Sequence, residues 1–207
     1  MLAAAALMSC SKPASEVRVS QADVLPPTVR QAAAERGQAI AAETFSLLSS
    51  NLQSAIQSAG VSNALPYCSL LASPLTAGVA TKHDVALRRI TLKPRNPAAA
   101  PDAAERRVLI AFEVAVAGNS VSSPEPIVTN LAPESVTFFA PIVLNHDLCL
   151  KCHGEPGKDI APENLAEIQR LYPQDRATGF RQGDLRGAWR IDFPRTAFES
   201  AATLNTR

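Results

Sequence analysis

Residues 136–144 read VTFFAPIVL, and residues 185–193 read LRGAWRIDF. In the first stretch Val136, Phe138, Ala140, Ile142 and Leu144 share one parity, an imperfect alternation of period two. The second alternates in the same manner and has turn residues on either side. Two such runs predict paired antiparallel strands. Outward from them, residues 85–92 are β-branched and aliphatic enough for another strand, and the proline-bounded RNPAAAPD that follows is a loop. A helix resumes near Asp102; residues 105–116 are helical or strand-like by period, and GNSVSSPEP then breaks the chain. Toward the N-terminus, residues 28–59 predict one long helix, with Ala41, Phe45, Leu48, Leu52, Ile56 and Ala59 spaced by four and three and Gly60 as the stop. Asn63 is suited to cap a second helix through Pro66, Tyr67, Cys68, Leu70 and Leu71, with Pro66 in its first turn, where a missing N–H costs little. Together these predict a single α+β domain over residues 28–207, with a long N-terminal helix, a mostly antiparallel sheet and long functional loops.

Composition agrees with one folded body. The chain has 207 residues, 46% of them hydrophobic and 19% charged, enough apolar material for a core. A formal charge of +1 with scattered basic residues argues against nucleic-acid binding. No apolar run approaches the roughly 18 residues of a spanning helix. The 16 prolines predict stiff loops.

The first residues, MLAAAALMSC, resemble the end of a bacterial lipoprotein signal, with Leu7 three places before Cys10 and the small Ser9 just before it. The basic start and most of the apolar stretch of such a signal are missing, so the true start is expected upstream. On this reading Cys10 is lipidated, residues 1–27 are signal remnant and tether, and the protein is extracytoplasmic or periplasmic, anchored to a membrane surface without crossing it.

Cys149-Leu150-Lys151-Cys152-His153 is the C-x-x-C-H pattern of covalent haem attachment. Two thiols three positions apart on one turn of backbone can reach both vinyl groups on one porphyrin edge, and the next imidazole is delivered under the iron. At this chain's composition the pattern arises by chance about once in a thousand such sequences. Other readings fit less well. A Cys149–Cys152 disulfide needs no histidine; a thioredoxin-like dithiol requires a βαβ setting, whereas Gly154, Glu155, Pro156 and Gly157 make a loop; zinc requires a second Cys/His pair. One covalent haem c is expected. Its other axial position is open from the residues alone. Met1 and Met8 lie in the segment expected to be removed, which leaves His83, His146, Cys68 or no protein ligand. His146 is seven residues before His153 and poorly placed to reach the opposite face. His83 sits at a polar helix end, and Cys68 lies on an apolar helix.

Three segments, RRITLKPRNPAAAPDAAERRVL (88–109), CLKCHGEPG (149–157) and LYPQDRATGFRQGDLRGAWRIDFP (171–194), with the Cys-centred helix ALPYCSLLASP (64–74) upstream, then resemble one family. In this order they are similar to the PAS-like monohaem c-type cytochrome domain family, over roughly residues 30–194. The resemblance implies a PAS-like antiparallel sheet with a long N-terminal helix, thioethers at Cys149 and Cys152, His153 as proximal ligand and Cys68 as distal ligand. Here Tyr67 precedes that cysteine and Ser73-Pro74 follows it, where the family has Val and Ala-Pro. Haem propionates need cationic partners, and Arg88, Arg89, Arg95 and Arg186 are the candidates in the matched segments. Tyr172-Pro173 and the loop from Asp175 to Gly187 are expected to shape the domain and not to touch a ligand.

Electron transfer, or redox or gas sensing, with an unidentified redox partner, is therefore the leading expectation. A peroxidase-like or thiol oxidoreductase enzyme is the alternative; it is disfavoured because nothing in the sequence pairs a nucleophile with a base.

Overall fold

The computed structural model describes residues 25–118 and 123–199; Cys10 and most of the tether lie outside them. The class is α+β. The first element, α1 (Pro27–His83), is two helices meeting at Gly60, whose φ of 79° and ψ of 172° belong to a region only glycine occupies without strain. The chain reverses there. Tyr67 Oη donates to Asn51 Oδ1 at 3.1 Å, and Glu43 accepts from Lys82 and pairs with His83 Nε2, each at 2.8 Å. The two arms, 27–59 and 61–83, are thereby tied into a hairpin. Asn63 does not cap the second arm as expected: its Nδ2 donates at 2.8 Å to the carbonyl of Ala59 and so closes the end of the first. Pro66 and Pro74 both lie inside the second arm.

The sheet holds β1 (Ala86–Ile90), β2 (Ile127–Thr129), β3 (Ser135–Val143) and β4 (Leu185–Pro194), all antiparallel, in the order β1-β4-β3-β2. The first arm of α1 covers one face, burying Val29, Ala33 and Ile40 against Val136, Phe138, Ile191 and Phe193. On the other face α2 (Ala103–Gly118) buries Leu109 and Phe112 against Ile90, Phe139 and Ala188. The imperfect alternation of residues 136–144 follows, because a strand covered on both faces places Phe138 on one and Phe139 on the other, each fully buried. Leu25 is 4% exposed, so the packed body begins before the expected boundary at residue 28.

Two short helices complete the frame, α3 (Asp147–His153) and α4 (Pro162–Leu171). Cys152 and Leu165 pack beside Leu65, Ile160 and Ile168, which joins α3, α4 and the second arm of α1. Opposite Ile142 and Val143 the register of β4 slips, leaving Arg186 as an extra residue between Gly187 and Leu185. Such a bulge re-aims the side chain it carries. Gly187, at φ 155°, is required beside it, since a Cβ there would overlap the Ile90 carbonyl oxygen.

Candidate functional site

Between the α1 hairpin, β1, α3 and the end of α4 lies a cleft of about 190 Å³, partly open to solvent. Its walls are apolar, with Leu52, Leu65 and Leu71 among them, and its chemistry comes from Cys68, Arg89, Arg95, Cys152, His153 and Tyr172. Cys68 arrives on the second arm of α1, Arg89 on β1, Arg95 from the loop after β1, and Cys152 and His153 on the last turn of α3.

Local sequence explains how α3 presents its residues. His146 caps it, its Nδ1 accepting from the Leu148 N–H at 3.1 Å. Cys149 and Cys152 then fall one helical turn apart. Cys152 faces the cleft, while Cys149 packs beside Leu144, Ala177 and Phe180. All three described cysteines are free thiols. The sheet is wholly antiparallel, so the βαβ setting of a thioredoxin-like dithiol does not occur. Among the described residues no group of three or more His, Cys, Asp and Glu side chains could hold a metal ion.

His153 is oriented from behind. Its Nδ1 lies 2.8 Å from the Ala177 carbonyl, which can only accept, so Nδ1 carries the proton and Nε2 keeps a lone pair. Phe180 meets the ring edge-on at 6.3 Å. Burial, then the charges of Arg186 and Arg95, hold the imidazole well below its ordinary pKa, so it is neutral. Burial also raises the Cys68 and Cys152 thiols, with Arg95 opposing in both cases.

Arg95 is anchored by Asp175 (Nε to Oδ1, 3.0 Å) and by the Cys152 carbonyl (Nη2, 2.6 Å). Arg186, 2% exposed, donates through Nη1 to Thr91 Oγ1 at 3.0 Å and to the Lys93 carbonyl at 3.2 Å. Its Nε and Nη2 are buried with no hydrogen-bond partner. It stands behind the cleft, its guanidinium over Phe180. Burial, then Arg89 and Arg95, push its pKa well down, and Asp175 opposes them. Arg95 and Arg186 thus share the influence of one carboxylate, and Arg89 repels both.

Arg88 is placed elsewhere. Strand alternation turns it to the α2 face, where it forms an ion pair with the fully buried Glu105. Arg190 joins that carboxylate at 2.7 Å. With its guanidinium committed there, Arg88 is not among the residues gathered at the cleft. His83 is likewise engaged by Glu43, and His146 by its capping role. The loop after α4 does more than shape the domain: Tyr172 lines the cleft and Asp175 holds Arg95. The signal for Tyr172 was its position beside the helix end that carries it, which sequence periodicity does not reveal.

No protein of curated function matches the chain. A solved structure described as the crystal structure of the cyanobacterial heme-protein Tll0287 is 32% identical to it, over 62% of this chain and 71% of that one, with a TM-score of 0.49. Residues 20–194 match the Tll0287-like family across both strands of the central pair, the Cys68 arm and the C-x-x-C-H helix, and the chain belongs to that family.

Proposed function

We propose that this is an extracytoplasmic c-type haem protein of PAS-like fold, lipid-anchored through Cys10, that works in electron transfer or in redox or gas sensing. The observation that carries the reading is His153, on a C-x-x-C-H helix, with its Nδ1 donated to Ala177 and its Nε2 left available beside a cleft that also holds the Cys68 thiol. Family membership alongside a haem protein supports it.

The residues fit one covalent haem. Cys149 and Cys152 are free thiols one turn apart, and the buried unpartnered Nε and Nη2 of Arg186 suit an anionic oxygen. When bound, the haem supplies a one-electron ferric/ferrous couple. The chain's own residues do the rest. The Ala177 carbonyl and the Phe180 edge fix the imidazole ring. Arg95, held by Asp175, supports the thiolate form of Cys68 against the effect of burial. A thiolate donor favours ferric iron and lowers the potential. Arg89, Arg95 and Arg186 supply the positive charge that propionates require, and the apolar walls limit water. A peroxidase-like reading requires a base on an open face; among the described residues lining the cleft there is no carboxylate and no histidine besides His153.

A pyridine haemochrome assay, intact mass after acid–acetone extraction and spectra of both redox states test the reading together. One haem per chain should be retained, with a six-coordinate ferric spectrum. An apoprotein mass, from cells competent in cytochrome c maturation, would overturn it. Expressed behind a complete export signal, Cys10→Ser should release the protein from membranes, and unchanged membrane association counts against the anchor.

A further inference from the structure

From Thr44 to Thr81 the chain contains no Asp, Glu, Lys, Arg or His, although at its overall 19% charged fraction such a stretch would hold about seven Asp, Glu, Lys or Arg residues. This span is most of the α1 hairpin, both arms and the turn at Gly60. The cleft accounts for only one side of each arm. On the second arm Tyr67, Leu70, Pro74, Ala77 and Gly78 are exposed, and Leu70 is 71% exposed. On the first arm Ser46, Ser50, Gln53, Ser54 and Gln57 are exposed on the side away from the cleft, and Phe45, Ser58 and Ala59 are exposed besides. Solvated helix faces in water usually carry charge. This one carries small, apolar and neutral polar groups, the composition of an interface centre from which charged residues are depleted.

We propose that the outward face of the hairpin is a self-association surface, occupied by a second copy of this chain. In a two-fold interface each residue near the axis meets its own counterpart, so any charge there faces its like. A surface with none is complementary to itself. The small Ala77 and Gly78, with open space above the latter, allow two backbones to approach closely. At 1.5 Å per residue the two arms make a face roughly 25 Å by 20 Å, so two copies would bury about 1,000 Å² in total, at the lower edge of specific interfaces. A lipid surface fits less well, because helices that lie in that interface present Lys and Arg on the polar face, and these arms have neither.

Sedimentation velocity on the full chain carrying Cys10→Ala, so that no acyl group contributes, tests this. The protein should be a dimer at ~100 µM and remain one between ~0.1 and ~1 M NaCl, since no charge pair holds it. Leu70→Glu, which sets like charges across the axis, should weaken the dimer at least ~100-fold. Ala77→Arg should do the same and substitutes for it if circular dichroism shows Leu70→Glu misfolded. Ile110→Glu, at a 47% exposed position on α2, is the control and should leave the dimer intact. A monomeric parent, a dimer indifferent to both hairpin variants, dissociation by Ile110→Glu, or pelleting of the Cys10→Ala chain with phosphatidylcholine vesicles would each overturn the proposal.

Discussion

Cys68 stands on a helix between two internal prolines, half-buried, with the Arg95 charge acting on it across the cleft. If its sulfur is the distal donor, Cys68→Ala removes an electron-rich ligand. Low-spin thiolate features should then vanish from the electron paramagnetic resonance spectrum, and the reduction potential should rise on the order of a hundred millivolts, within the ~0.8 V that axial ligation spans. Haem content should persist through Cys149, Cys152 and His153. A spectrum and potential identical to the parent would exclude this cysteine. The contrast between the residues that were legible in sequence and those that were not is physical. Cys149, Cys152 and His153 are related by spacing along one short helix, which sequence displays directly. Arg88 and Arg89 are neighbours whose difference comes from strand parity: paired with Trp189, Arg89 faces the α1 side and the cleft, whereas Arg88, paired with Arg190, faces Glu105. The strand itself was readable; which of its faces the cleft uses was not, because that depends on how α1 folds back.

The α1 hairpin brings the Cys68 arm over the cleft, and its reversal rests on Gly60. An alanine there must leave a backbone region closed to side chains or hold it under strain, at a cost of about 1–3 kcal/mol. Gly60→Ala should lower the urea midpoint correspondingly, and an unchanged midpoint would show that the reversal does not need glycine. The start of α2 gives a second test. Asp102 Oδ1 accepts from the Glu105 N–H and Glu105 Oε2 from the Asp102 N–H, each at 2.8 Å, a reciprocal cap. Accepting that N–H, with further help from Arg190 and Arg88, holds the Asp102 carboxyl below its ordinary pKa. A depressed carboxyl contributes stability above its unfolded pKa and loses it as pH falls through the folded one. Asp102→Ala should therefore cost about 1 kcal/mol near neutrality, with the gap from the parent closing in acid below roughly pH 4. A gap that stays constant down to pH 3 would refute the capping role. Elements with a strong period, α1 and the β3–β4 pair, were legible in sequence. The helices α3 and α4, at 7 and 10 residues, and the three-residue β2 were not, being too short for a period to emerge and fixed by packing.

Two cores meet through one sheet, and their attachments differ in kind. The α1 side packs mainly through apolar side chains, whereas the α2 side adds a buried charge cluster in which Glu105, with no exposed surface, accepts from Arg88 and Arg190, and Asp192 accepts from Arg190 Nε at 2.8 Å. The cluster ties α2 to β1 and β4 on the face turned away from the cleft. Neutralising its centre leaves two guanidiniums without their shared partner, and breaking a buried pair from one side costs about 3–5 kcal/mol. For a domain of this size each kcal/mol shifts Tm by about 2–4 °C. Glu105→Gln should thus lower Tm by roughly 6–20 °C. Arg88→Leu, which removes one charge yet leaves Arg190 to pair with Glu105, should cost less. Because this cluster and the cleft lie on opposite faces, neither variant should alter the haem spectrum or the potential at a temperature where the protein is folded. Arg89→Leu and Arg186→Leu, on the cleft side, should lower the potential, because loss of a nearby positive charge favours the oxidised form. Differential scanning calorimetry and redox titration on the same four variants separate the two faces. A potential that shifts with Glu105→Gln while Tm stays fixed would reverse the assignment, making the α2 face part of the site and Arg88 one of its functional residues.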